Sequence, residues 1–431
     1  MDAVSSQPPR PESGRPVSGR AESGHPESGM PTVTMIGGGQ LARMTHQYAI
    51  ALGQCLRVLA GAPTDPAAQV SGDVVLGSHE VLDDLREAAE GAVALTFDHE
   101  GVPLEHLEAL EAEGVAVRPP SKALRFAQDK LDMRNRLSEL GLPVPDYADL
   151  SGDVAQARDA LIAFGDRNDW HVVIKAVRGG YDGRGVWLVD DRAEALAVFD
   201  AQSGGDTVLM AEQKVAMRRE LSAMIARSPY GQGAAWPVVE TVQRNGQCAV
   251  VLAPAPGLDA DVAQQAQRMA LRLADELGVV GAMAMELFET VDGRLVVNEL
   301  AMRPHNSGHW TMDGAVTSQF EQHLRAVLDY PLGDTSARAD VVVMANVLGA
   351  PEAPTMSVDE RLHHLFARMP DAKVHMYGKG ERPDRKVGHV NIVGRPGDDV
   401  ETVRERAERA AHWLSHAVWT DGWDPHSPAA G

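Results

Sequence analysis

A mixed α/β and α+β fold in three domains is predicted, opening on a doubly wound parallel sheet, and three observations carry the prediction. Between positions 32 and 97, short apolar runs alternate with helix-patterned stretches, an order that builds parallel sheets flanked by helices. Further on, two β-rich runs flank Asp292-Gly293, a strong two-residue hairpin turn. Near the C-terminus, apolar runs at 341–348 and 387–393 frame a basic loop, as in a small β-rich domain.

Composition narrows the function. The 431 residues, 44% hydrophobic and 23% charged, suit a globular chain of two to four domains. A formal net charge of -21 repels phosphate backbones and anionic membranes, so neither nucleic acid nor membrane is an expected partner. A few basic residues still suffice for a small phosphorylated substrate. The two cysteines, Cys55 and Cys248, are too few for a disulfide framework or a zinc site. No run reaches the roughly 18 apolar residues of a membrane span, and the N-terminus lacks the apolar segment of a signal peptide. A cytoplasmic location is expected.

The elements follow in order. Residues 1–30 repeat a five-residue unit, from Arg10-Pro-Glu-Ser-Gly to His25-Pro-Glu-Ser-Gly, almost free of large apolar side chains, and are expected to form a disordered tail. In the first domain, 31–122, strands are predicted at 32–36, 56–60, 74–76 and 92–97, with helices from Gln40 and over 81–90. A middle domain, 123–333, opens with one helix over 123–140, closed by Gly141, Pro143 and Pro145. Its strands follow at 172–176, 186–189, 208–212, 220–226 and 236–243, with a helix near 193–199, and a mobile lid is expected over about 148–212. A helix over 261–277, a hairpin over 282–299 and a helix near 318–328 complete it. The third domain, 334–431, ends in a helix over 402–413.

Five segments suggest chemistry. Gly37-x-Gly39-x-x-Ala42 after a strand matches a dinucleotide fingerprint. The next strand, however, ends in Ala60-Gly61, without the carboxylate that grips a nicotinamide ribose, so an anion-binding or structural turn is expected instead. Lys175 ends a strand and precedes the loop Gly179-Gly-Tyr-Asp-Gly-Arg-Gly185. Its glycines let backbone N–H groups approach phosphate oxygens while Lys175 and Arg184 supply charge. A two-residue turn at Asp292-Gly293 sets Glu286 directly opposite Glu299, where like charges about 4.5–5.5 Å apart repel. A divalent cation or a basic side chain must compensate, and Mg²⁺ favours such carboxylates together with substrate phosphates. Finally, the polar run Arg303-Pro-His-Asn-Ser307 follows the hairpin, and Lys379-Gly-Glu-Arg-Pro-Asp-Arg385-Lys386 is a basic island in an acidic chain, suited to docking a phosphate.

Together these segments resemble the N5-carboxyaminoimidazole ribonucleotide synthetases, ATP-grasp ligases of purine synthesis, over nearly the whole chain from Ile36. The most specific matches are Arg178–Gly185, Arg219-Glu-Leu-Ser222 and the stretch from His305 to Leu324. The resemblance implies a three-domain ATP-grasp architecture with a Rossmann-like first domain, and a homodimer. It implies ATP with Mg²⁺ or Mn²⁺ as cofactors, and 5-aminoimidazole ribonucleotide and bicarbonate as substrates, joined through carboxyphosphate. Position by position, it implies ATP contacts from Lys130, Lys175 and the loop Gly180, Tyr181, Asp182, Gly183, Arg184, Gly185 and Val186. An adenine hinge at Glu212, Gln213, Lys214 and Val215, a ribose contact at Glu220, and nucleotide-site positions at Gln243 and Asn298 follow. Glu286 and Glu299 match the metal ligands. Tyr181, Asp182, Arg184, Arg303, His305, Asn306 and Ser307 match substrate positions, with Lys379, Arg385 and Lys386 on the ribonucleotide phosphate and Glu100 on the first domain. Arg303, His305 and Lys175 are the expected catalytic groups.

Four departures stand out. Gln243 replaces a usual histidine, Met302 a proline, Ala42 a glycine, and the basic loop is one residue shorter. A neighbouring ATP-grasp ligase with another acyl donor, such as formate, and a nucleotide-binding regulator without catalysis are the rival readings.

Overall fold

The computed structural model describes residues 29–180, 183–203, 205 and 207–423. Nearly all of the expected N-terminal tail lies outside the described residues, as do Tyr181 and Asp182. The first sheet is wholly parallel, in the order Val74–Leu76, Cys55–Ala60, Thr32–Ile36, Ala94–Phe97. Thr32–Ile36 and Ala94–Phe97 are buried along their full length, as parallel strands covered by helices must be, whereas the edge strand Val74–Leu76 is partly exposed.

Helix Gln40–Ala51 starts at the glycine turn, and its N-terminus is closed from inside the protein. The Asp98 carboxylate accepts from Gly39 N at 2.6 Å and Ala42 N at 3.0 Å. An internal anion thus fills the place a dinucleotide pyrophosphate would take, which makes the turn structural. Burial pushes Asp98 up to about 6, against the pull of the Ala42 amide and Arg303. A Cβ added at Gly39 would lie 2.0 Å from Asp98 Oδ2. Gly39→Ala is therefore expected to destabilise the protein by about 1–3 kcal/mol through overpacking; unchanged urea unfolding would show that the turn has slack.

The second sheet, Tyr147–Asp149, Leu209–Gln213, Val172–Ala176, Val186–Val189, is antiparallel. Val172, Ile174, Leu209 and Ala211 turn one face into a small core with Leu161, Phe164 and Phe199 from its two helices. Alternation along the strands sends Lys175 and Glu212 to the other face.

The third sheet has nine strands and runs through the rest of the molecule. Leu221, Ala223, Ile225, Met283, Met285 and Leu287 pack beneath helix Ala260–Leu277, which leaves Glu220, Ser222 and Glu286 on the opposite face. The sheet does not stop at position 333: Val342–Leu348 pairs with Gln247–Ala253 on one side and Lys386–Val393 on the other. The strands of the C-terminal part thus extend the central sheet.

Several elements differ from expectation. The single helix over 123–140 is two, Ser121–Gln128 and Lys130–Glu139, broken at Asp129. Asp129 caps the second by accepting from Asp132 N at 2.9 Å, a preference strong enough to interrupt a helical pattern. The strand expected over 236–243 begins only at Val239, because Pro237 has no N–H to give a ladder. Helices Leu104–Ala112, Val154–Arg167 and Val358–Arg368 and strand Gln247–Ala253 were not anticipated, although Asp153 and Ser357 cap two of them.

The hairpin holds the most instructive difference. Its turn is not the two-residue Asp292-Gly293: Thr290 N donates to Arg294 O at 2.8 Å, closing a three-residue loop with Gly293 at φ +82°. That shifts the ladder by one, to Leu287 opposite Val297. The register then slips back, leaving Asn298 as the extra residue of a bulge, and Glu286 stands opposite Glu299 after all. The pairing is as expected, and two cancelling displacements produce it.

Candidate active site

The hairpin bulge does chemical service. A bulge re-aims a side chain, and here Asn298 Oδ1 comes within 3.4 Å of Lys175 Nζ. Next to it, Glu299 Oε1 lies 3.4 Å from Lys130 Nζ. The helix break at Asp129 supplies that second lysine: Lys130 opens the new helix with its N–H bonded to Val177 O at 3.0 Å. Asp129 is held in turn by Arg178 Nε at 2.7 Å. Two ammonium groups from different elements thus converge on one strand.

Beneath them lies a buried charge cluster. Glu212 is 2% exposed, and its carboxylate takes Arg134 Nε at 2.7 Å and Lys175 Nζ at 2.7 Å. Desolvation alone would lift Glu212, but the charges of Arg134 and Lys175 outweigh it and hold it below the usual carboxylate range. Burial draws Lys175 below the ordinary lysine value, opposed by Glu212. The Glu212 side chain is therefore occupied in fixing Lys175. Along the expected adenine hinge, the backbone amides of Gln213 and Lys214 donate to Asp146 O and His171 O at 2.8 and 2.9 Å. Lys214 Nζ turns outward to Asp190 at 2.9 Å, and Val215 is half-buried beyond it. In the loop, Gly183, Arg184, Gly185 and Val186 are described, and Gly180 packs close to the Arg184 carbonyl.

Glu286 is the most perturbed acid. Desolvation, together with Glu299 and Glu220, pushes it up to about 8, and Lys386 and Arg303 oppose this. Its nearest basic neighbour, His305 Nε2 at 3.5 Å, is itself brought down to about 3 by burial and by the charges of Arg303 and Lys386. A neutral imidazole cannot compensate the carboxylate pair, and Lys130 reaches only Glu299. The donors available are oxygens, two carboxylates with the Asn298 amide alongside, which fit a hard cation such as Mg²⁺. Among the described residues no three His, Cys, Asp or Glu side chains form a metal centre of their own. Glu286 and Glu299 thus suit an ion whose remaining ligands are phosphates and water.

These shifts make a stability prediction. Because Glu286 is raised in the folded state, its contribution is present at low pH and is lost as pH rises toward about 8. His305, depressed to about 3, acts below the usual histidine value, so the window from about 6.5 upward belongs to Glu286. Without nucleotide or metal, Tm is expected to fall between pH 6.5 and 8.5, and Glu286→Gln should flatten that slope. An equal slope in both proteins would reassign the raised acid.

The substrate-side residues divide into two groups. Arg303 Nε sits 2.6 Å from Glu100 Oε2; burial works against its charge, but Glu100 and Asp98 keep the guanidinium firmly protonated. Met302 N donates to the other Glu100 oxygen at 3.3 Å, a bond that proline could not make. Met302 is fully buried, so this departure fastens the loop. Ser307, 1% exposed, bonds Ser222 at 2.8 Å and His305 Nδ1 at 2.9 Å, and Gln319 clamps the His305 backbone from both sides at 2.8 Å. Ser307 therefore orients His305. Asn306 is paired with Asn346. Gln243 Nε2 donates to Glu220 Oε2 at 2.9 Å, so an amide holds this acid where histidine was usual, and burial raises Glu220 despite it.

The basic loop reaches the same cleft. Lys379 Nζ bonds Gln40 on the first domain, Arg385 Nη1 bonds Gly380 O at 3.1 Å, and the charge of Lys386 is felt at both Glu286 and His305. Arg134, Ser222, Gln319 and Asn346 were missed as site residues. Ser222 and Gln319 lie inside the matched motifs, whereas nothing local marks Arg134 or Asn346.

Lysines under a glycine loop, opposed carboxylates on a bulged hairpin and a fixed arginine beyond them define an ATP-grasp ligase. An ATP-grasp domain model matches residues 135–320, a ribonucleotide synthetase preATP-grasp domain 30–128, and a phosphoribosylaminoimidazole carboxylase C-terminal domain 342–406. The N5-carboxyaminoimidazole ribonucleotide synthase of Mycobacterium tuberculosis is 64% identical over 394 residues, covering 91% of this chain and 90% of its own. A solved N5-carboxyaminoimidazole ribonucleotide synthetase in complex with ADP superposes with a TM-score of 0.80 at 32% identity, covering 89% of this chain and 97% of its own. The Aspergillus clavatus enzyme, solved with ADP and 5-aminoimidazole ribonucleotide, gives 0.79 at 27%, covering 89% and 98%. The chain belongs to the N5-carboxyaminoimidazole ribonucleotide synthase family, ATP-dependent ligases of purine biosynthesis.

Proposed function

We propose that the chain carboxylates the exocyclic amine of 5-aminoimidazole ribonucleotide with bicarbonate, releasing ADP and phosphate. The observation that carries this is the convergence of Lys130, Lys175, Glu286, Glu299 and Arg303 at one cleft. Lys130 and Lys175 hold the ATP phosphates, and desolvation makes their charge count for more than it would in water. Glu286 and Glu299 would hold Mg²⁺, which would neutralise charge on the transferring phosphoryl group. Bicarbonate oxygen attacks the γ-phosphorus and ADP leaves, giving carboxyphosphate. That splits to CO₂ and phosphate; the amine adds to the carbon and loses a proton. Arg303, fixed by Glu100, stabilises the anionic intermediate, while neutral His305 orients the acceptor without adding charge. Lys379, Arg385 and Lys386 dock the ribonucleotide phosphate, the Glu212–Val215 segment and Glu220 border the nucleoside, and Tyr181, Asp182 and Arg184 belong to a closing loop that keeps water out.

Among the described residues no helix is long and apolar enough to cross a membrane; action in the cytoplasm and a homodimer are the proposed setting and working form. The decisive assay follows ADP release with MgATP and the ribonucleotide, with and without bicarbonate in degassed buffer. Release requiring both substrates, with labelled carbon trapped in an acid-labile carbamate, is the expected result. ATP hydrolysis without carbon capture would count against it, and nucleotide binding without ADP would favour a regulator.

A further inference from the structure

Helix Val400–His416 covers the central sheet on the face turned away from the catalytic cleft, packing on Val343, Ala345 and Val347. Asn346, between them, points the other way to Asn306. Beyond this helix a cavity of about 350 Å³ opens, with Arg368, Arg395, Arg406, Arg409 and Asp371 in its wall. The arginines come from three separate parts of the chain; Arg406 and Arg409, three residues apart, share one face of their helix.

Their charge is only partly answered. Asp371 takes Arg406 at 2.5 Å and Arg395 at 3.5 Å. Asp421 takes Arg368 and, at 3.7 Å, Arg409. Among the described residues, the four guanidinium groups thus form ion pairs with two carboxylates, and Asp398 accepts only from the Arg395 backbone N–H at 2.9 Å, in a chain whose net charge is -21. Arg409 Nε is also buried without a hydrogen-bond partner, so the contact with Asp421 does not answer all of its donors. Arg368 is held over Trp419 and Trp423, 4.3 and 4.9 Å from their ring centroids, which fixes its orientation.

We infer that this cavity binds a small molecule carrying a diphosphate group, at a site separated from the catalytic cleft by the central sheet. Planar guanidinium forks match phosphate oxygens two at a time. An excess of guanidinium groups over paired carboxylates favours a ligand with at least two negative charges, and the cavity has room for more than a single phosphate.

The probe is inorganic pyrophosphate, titrated by calorimetry into full-length protein already saturated with ADP. Wild-type protein should bind it, with affinity falling about tenfold in Arg395→Ala and further in Arg395→Ala/Arg409→Gln, as expected for charge-assisted contacts. Arg395 is 72% exposed, so its removal should leave folding and the KM for both catalytic substrates unchanged. Equal pyrophosphate affinity in all three proteins would overturn the inference. So would a loss produced by Lys386→Ala instead, which would assign the binding to the catalytic cleft.

Discussion

Glu299→Gln is expected to lower kcat by about 10³-fold, equivalent to roughly 4 kcal/mol of barrier. The substitution is nearly isosteric, so the hairpin and its bulge should survive, and what changes is charge. One carboxylate opposite Glu286 disappears, and with it half of the anionic pair that a divalent cation would bridge. Two side effects oppose the loss: Lys130 is released from its 3.4 Å contact with Glu299, and Glu286 no longer feels Glu299, its second largest source of strain after burial. The variant should therefore keep ADP binding within a few-fold and a normal Tm while requiring far more magnesium for turnover. Measuring kcat across a magnesium titration separates these effects. Turnover near that of the parent protein at ordinary magnesium would remove the metal assignment from this strand.

Arg134→Met should be the most destabilising single change in the cleft, by about 3–5 kcal/mol, the usual result of stripping one partner from a buried ion pair. Arg134 is fully buried, bonds Glu212 at 2.7 Å and also donates to Asn298 O at 2.6 Å. Its loss leaves Glu212 with Lys175 alone and unpins the bulge. Combining it with Glu212→Gln should recover part of the stability, because the two residues interact directly. Urea unfolding of the three proteins tests both statements; a single-variant loss under about 1 kcal/mol would mean that water reaches the cluster and screens it.

The parallel strand Thr32–Ile36 was legible because burial on both faces writes itself as an unbroken apolar run, and the antiparallel Val172–Ala176, also buried, likewise has the expected limits. The carboxylate pair was legible in outcome only. The period of two and the Asp-Gly turn predicted it, but the chain reaches it through a longer turn and a bulge, and neither leaves a mark in a pattern of apolar residues. The break at Asp129 was hidden for another reason: a capping side chain inside an amphipathic run looks like one more solvent-facing residue. Arg134 and Asn346 were illegible because their partners lie 78 and 40 positions away. Ser307, read as a substrate-side position, also supports His305 through a bond at 2.9 Å, a role that burial reveals and residue type does not.

The sheet that crosses position 333 also limits how this molecule can be divided. Cutting the chain there would strip Gln247–Ala253 of its partner Val342–Leu348 and uncover Val250 and Leu252 along a raw edge, the template for sticking to another copy. The complementary piece would lose the same seam. Shuffling this C-terminal segment between relatives, or expressing it separately, would require redesign of both exposed edges. The joint between them is a shared ladder of hydrogen bonds as well as a connecting stretch of chain.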